Sequence, residues 1–203
     1  METEEKIIEA AQTVFIKKGM DGARMQEIAD EAKINKALLH YYFRTKEKLF
    51  NAIFIRIFNI AFPKLTNVLY SDIPIKEKID SAVDIYLDLL KKHPYLPFFI
   101  LREINREGTF IFKLVDSIGF DIQPVLNYIE EAMARGEIIQ MSSHHLILNV
   151  VSLCVFPYAA RPALQHVLYK GDIHSFEAFM AKRGEILKTF IWDAIKPKEI
   201  LED

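Results

Sequence analysis

Apolar residues recur at three- and four-residue steps along nearly the whole chain, the spacing that gathers side chains on one face of a helix. Ile7, Ala11 and Val14, with Phe15 beside them, predict a first helix. Thr3 is its expected cap, Glu4 and Glu5 suit its positive end, and Gly19 is its expected stop. A short second helix is expected from about Arg24 to Ala32, with Ile28 and Ala29 turned inward. Lys33-Ile34-Asn35 then reads as a tight connection, and Asn35 as the cap of a third helix from Lys36 to Tyr42. Thr45 should open a long fourth helix striped by Leu49, Phe50, Ile53, Phe54 and Ile57. Pro63 should kink or interrupt it, because proline lacks the amide proton and clashes with the preceding turn.

Ser71-Asp72-Ile73-Pro74 is the clearest break in the pattern. Ile79, Val83, Tyr86 and Leu90 restart it, and Lys91-Lys92-His93-Pro94 ends that helix with cations and a proline. A further helix is expected from about Tyr95 to Arg106, then a less regular stretch after Gly108. Ile122, Val125, Leu126 and Ile129 lead to a stop at Gly136, and two helices, about 143–159 and 176–194, close the chain. No segment alternates as a strand would, so the fold class is all-α.

Composition narrows the function. With 203 residues and 51% hydrophobic content the chain can bury a sizeable core. Its single cysteine, Cys154, lies between Leu153 and Val155 and reads as a core thiol, leaving no disulfide and no thiolate cluster for zinc. The adjacent His144 and His145 would point about 100° apart on a helix, so no metal and no cofactor are expected. The most apolar stretch, 146–160, is broken by Asn149, Ser152 and Pro157, which predicts a cytoplasmic protein with no membrane partner. No Walker A loop, nucleophile elbow or dinucleotide glycine fingerprint occurs, and nothing argues for an enzyme.

Charge changes the picture locally. The formal net charge is −2, yet Lys33, Lys36, Arg44, Lys46 and Lys48 face one acid, Glu47, between residues 33 and 48. Positive charge thus rims the second of two short helices joined by a tight turn, where a helix-turn-helix would meet phosphate.

The residues sharpen this. Ile28-Ala29, the connection Ala32-Lys33-Ile34-Asn35, the run Leu39-His40-Tyr41-Tyr42-Phe43 and Thr45-Lys46-Glu47-Lys48-Leu49 together resemble the N-terminal signature of the TetR family of transcriptional regulators, over about residues 3–50. The resemblance implies a helix-turn-helix DNA-binding domain at 1–48 and a larger helical effector-binding and dimerisation domain at 49–203, the fourth helix from about residue 46 serving as connector. It also implies that Asn35, Lys36, Ala37 and Leu38 read base edges while Tyr41 and Lys46 grip phosphates. Tyr42 and Phe43 are read as core aromatics. Arg24 could reach phosphate, and His40 could reach DNA or fill a packing site. The sequence departs from the family pattern at Arg24-Met25, where threonines are frequent, at His40, often tyrosine, and at Lys33, usually the glycine of the turn.

The C-terminal part carries more aromatic surface than a plain bundle needs, and the resemblance implies a small-molecule pocket there. Tyr86, Phe98, Phe99, Phe120 and Phe156, with the polar Arg102 and Asn149, are its candidate lining; simple core packing is the alternative. Phe110, Phe112 and Tyr158 belong to the same aromatic surplus. Phe179, Arg183, Ile186 and Phe190 form a stripe on the last helix that must be covered by its own domain or by a second copy. The expected function is a homodimeric, sequence-specific DNA-binding regulator, a repressor released from double-stranded operator DNA by a small, mostly apolar effector. An effector-independent or activating regulator, or a helical metabolic enzyme, are the alternatives.

Overall fold

The computed structural model describes residues 2–106, 109–117 and 119–197, and Gly108 lies outside the described residues. Every regular element among them is a helix: α1 (Glu2–Gly22), α2 (Met25–Glu31), α3 (Lys36–Tyr42), α4 (Lys46–Tyr70), α5 (Ile75–Lys92), α6 (Leu96–Arg106), α7 (Thr109–Ser117), α8 (Gln123–Ala134), α9 (Ser143–Ala159), α10 (Arg161–Tyr169) and α11 (Ile173–Ile195). They gather into two compact units, one of residues 1–62 with 93–117, the other of residues 63–92 with 118–203.

In the first unit the predicted stripes do become the core. Ile7, Ala11, Val14 and Phe15 of α1 are buried with Ile28, Ala29, Leu39, Leu49, Phe50 and Ile53. Phe15 meets Phe50 edge to face, ring centres 5.0 Å apart, and Tyr95 lies 5.6 Å from Phe50. Such pairs add about 0.5–1.5 kcal/mol beyond the area they bury. Gly19 bends α1 at φ +67°, a backbone conformation that a side chain would strain. The helix already starts at Glu2, so Thr3 is a helical residue instead of the expected cap.

The second unit is held by Ile75, Val83, Val125, Ile129, Met133, Leu146, Cys154, Leu187 and Ile191, drawn from α5, α8, α9 and α11. Each fully buried aliphatic side chain contributes about 1.5–3 kcal/mol. Gly136, at φ +72°, closes α8: its amide bonds the Met133 carbonyl and the Glu137 amide bonds that of Ala132. This double bond is the Schellman pattern that satisfies orphan carbonyls.

Three features depart from the sequence reading. The fourth helix runs unbroken through Pro63, which is exposed, so the carbonyl it leaves unpaired faces water and the loss is small. The stretch after residue 108 is helical, as α7. A short helix, α10, intervenes before the last one, bent 77° from α9, with Pro162 in its first turn; α11 then begins at Ile173 because Asp172 caps it through the amides of His174 and Ser175. By length and composition α4 is long and apolar enough to cross a membrane; along it Leu49, Phe50, Ile53, Phe54 and Ile57, all in its first half, are buried in the protein.

Candidate nucleic-acid interface

The turn between α2 and α3 is fixed by backbone chemistry. The Lys33 amide donates to the Asp30 carbonyl at 3.1 Å and the Ile34 amide to that of Ala29 at 3.0 Å, again the Schellman pattern. It requires a left-handed residue, and here that residue is Lys33, at φ +55°. A lysine holds this conformation at a cost of the order of 1 kcal/mol that glycine would avoid. Asn35 then caps α3, its Oδ1 accepting from the Leu38 amide at 2.7 Å. At the other end of α2 the Arg24 amide donates to the Glu27 carboxylate at 3.2 Å, and Lys18 donates to the same carboxylate at 2.9 Å. The Lys18 hydrogen bond, followed by that from the Arg24 amide, holds the Glu27 carboxyl below its usual range.

These caps leave one polar surface. Arg24, Lys33, Asn35, Lys36, Ala37, Arg44 and Lys48 are exposed, and Leu38 is half-buried behind Asn35. Among the described residues no acid pairs with Lys33, Lys36, Arg44 or Lys48, so four cations face solvent unneutralised. Tyr41 is 80% exposed, which no core role explains, and its ring meets that of Tyr42 at 5.4 Å. Phe43 is buried as expected, but Tyr42 is 37% exposed and is no core aromatic.

Two residues hold the scaffold as well as lying near the surface. His40 donates from Nδ1 to the Arg44 carbonyl at 3.2 Å, since a carbonyl can only accept. That favours the packing role for its ring. The Lys46 ammonium, expected to face phosphate together with the first amides of α4, reaches the Ala23 carbonyl at 3.1 Å and that of Asp21 at 3.4 Å. Thr45 caps α4 through the Lys48 amide.

The second unit contains a cavity of about 130 Å³. It is lined by Leu65 and Leu69 of α4, Lys78, Ile79, Ala82 and Tyr86 of α5, Ile122, Val125 and Ile129 around α8, and Leu146, Ile147, Val150, Val151 and Cys154 of α9. Of the aromatic residues expected to line a pocket, Tyr86 does. Phe120 instead stacks on Tyr70 at 6.2 Å, Asn149 and Phe156 are exposed on α9, and Phe98 is exposed in the other unit. The side chains of Phe99, Arg102 and Phe110 lie outside the described residues. Aliphatic side chains make most of this wall.

Lys78 is the charged residue on the wall, and sequence reasoning missed it along with the aliphatic lining. It is 3% exposed, and its ammonium donates to the carbonyls of Leu69 at 2.7 Å and Ser71 at 2.5 Å, closing the end of α4. Burial pushes its pKa down. Its position one turn after Ile75, on the apolar face of α5, was the available clue.

The stripe of α11 divides. Phe179 packs on Tyr169 and Phe176, and Arg183 donates to the Leu153 carbonyl at 3.1 Å while its Nε is buried without a partner among the described residues. Ile186 and Phe190 are 53% and 61% exposed, and Leu148 and Phe156 on α9 are similarly open.

Against known proteins, residues 7–53 match the family model described as bacterial regulatory proteins, tetR family. The chain is 28% identical over 171 residues to the "Probable HTH-type transcriptional regulator YttP" of Bacillus subtilis (strain 168), covering 82% of each chain. It is also 28% identical over 195 residues to the HTH-type transcriptional repressor NicS of Pseudomonas putida, covering 90% of this chain and 92% of NicS. In fold it is similar to the crystal structure of HlyIIR, a hemolysin II transcriptional regulator, with a TM-score of 0.63 at 23% identity, covering 97% of this chain and 98% of that one.

Proposed function

The chain belongs to the tetR family of bacterial regulatory proteins, DNA-binding transcriptional regulators and not enzymes, and from that premise we propose that it is a homodimeric repressor released from operator DNA by a small apolar effector. The exposed, unneutralised surface of Lys33, Asn35, Lys36, Ala37, Tyr41 and Arg44 carries the reading. In it Lys36, Ala37 and the outward amide of Asn35 meet base edges, whereas Lys33, Tyr41 and Arg44 meet phosphates. Arg24, exposed at the start of α2, adds a phosphate contact.

Two copies are needed for a two-fold site. Ile186 and Phe190 of α11, with Leu148 and Phe156 of α9, are exposed apolar side chains suited to cover by a second copy. Its recognition helices would then enter successive major grooves about 34 Å apart. Repression fits a relative named as a repressor, NicS. The working compartment is the one that holds the chromosome, the cytoplasm.

Effector release follows from linkage. A ligand that binds better in a state unable to span the operator lowers DNA affinity by the ratio of its two affinities, typically about 5–150-fold. The cavity walled by Tyr86 and its aliphatic neighbours is the candidate seat.

Genomic fragments captured by the full-length chain, sequenced and re-measured as isolated duplexes, test the reading. A shared pseudo-palindrome bound by two copies is the expected result. Fragments without a common element, bound no better than random duplex, would remove specific DNA recognition.

A further inference from the structure

Resting on the effector reading above, we infer that the cavity takes an uncharged molecule about the size of one ring, apolar apart from a single hydroxyl or carbonyl group that hydrogen-bonds to Tyr86. Size is the first constraint. An apolar cavity of roughly 150 Å³ admits benzene, and this one, open to solvent beside the exposed Ile122 and Val151, offers about 130 Å³, room for one ring to seat itself. Eleven of the fourteen lining residues are aliphatic, so polar atoms beyond one or two would be buried without partners.

Charge is the second constraint. Lys78 is the single cation on the wall, and an ammonium has three protons to donate. Val68, Leu69 and Ser71 offer it carbonyl oxygens at 3.4, 2.7 and 2.5 Å, and the Tyr128 ring lies 3.9 Å from Nζ. No proton is left for a ligand carboxylate. An anion would enter only by unlocking the end of α4 or by staying unpaired in an apolar site.

Tyr86 is the exception on the wall. Its hydroxyl makes no hydrogen bond to any described residue. Burial pushes the phenol up to about 12, so it keeps its proton at neutral pH and can both donate and accept. The Cys154 thiol, also on the wall, is a much weaker donor.

Calorimetric titration of the full-length chain with p-cresol, toluene and p-toluate tests this. All three share a ring and differ in the polar group. The expected order is p-cresol tighter than toluene by roughly 3–10-fold, the worth of one net hydrogen bond, with no p-toluate binding. Tyr86→Phe should bring p-cresol to the affinity of toluene while leaving toluene unchanged, which also shows that the cavity is intact. Binding of p-toluate as tight as p-cresol, an unaltered cresol-to-toluene ratio in Tyr86→Phe, or no binding by any of the three would overturn the inference. If the predicted order holds but p-cresol leaves the affinity for captured operator duplex unchanged, the ligand chemistry stands and effector release falls.

Discussion

The ammonium of Lys46, in the first turn of α4, lies 3.1 Å from the carbonyl oxygen of Ala23, just before α2 begins. A side chain expected to grip phosphate is thereby also a strut inside the DNA-binding unit. Replacing it should have two effects. Lys46→Ala should lower stability by about 1 kcal/mol, a melting shift of roughly 2–4 °C, because two carbonyls lose their donor. It should also reduce the slope of log DNA affinity on log salt by less than Lys36→Ala does, since each full phosphate contact contributes about 0.9. Melting curves and salt titrations of both variants check this. An unchanged melting temperature would mean that Lys46 is no strut.

Lys33→Gly should raise stability by about 1 kcal/mol, because the left-handed turn between α2 and α3 then holds a residue that adopts it without strain. The same change removes a cation, so the salt dependence of DNA binding should weaken. Chemical denaturation beside a binding titration reads both effects. A less stable variant would show that the turn does not strain Lys33.

Ile186→Glu with Phe190→Glu should abolish the dimer and leave the folded single chain intact, since both side chains are already more than half exposed within one chain. Burying two carboxylates in a desolvated contact costs several kcal/mol. Sedimentation should show a monomer whose helical signal and melting match those of the parent chain at low concentration. A dimer that survives places the contact elsewhere.

Glu27 gives a pH dependence. Its carboxyl is held below 4.5 by Lys18 and then by the Arg24 amide, so it binds fewer protons folded than unfolded. Its contribution to stability is fully present above about pH 4.5 and is lost as pH falls through the lower folded value. Thermal melts of the parent and Glu27→Gln from pH 7 to 3 should therefore differ at neutral pH and converge in acid. A constant gap would assign the difference to something other than this carboxylate.

The DNA-binding unit was legible because its signals are local. Asn35 and Thr45 cap helices that start one residue later, and the tight Lys33-Ile34-Asn35 connection lies where the chain turns. Elements without such marks were missed: α10 follows an Ala160 that offers no side-chain cap, and only the fold decides that its chain bends away from α9. The cavity was misread for a related reason. Periodicity says which face of a helix turns inward, but not which inward side chains fail to meet. Phe156 and Asn149 lie on the open side of α9, while Leu146, Val150 and Cys154 line the void.

Cys154 is 1% exposed, and burial raises its thiol to about 12, so little thiolate exists to react at neutral pH. The natural chain therefore behaves toward maleimide and methanethiosulfonate reagents as if it had no cysteine. A thiol introduced at exposed Ala37 of α3 would take a spin label or fluorophore at one position per copy. The distance between two such labels would report the spacing of the recognition helices in solution, with and without ligand, in a chain altered at a single residue.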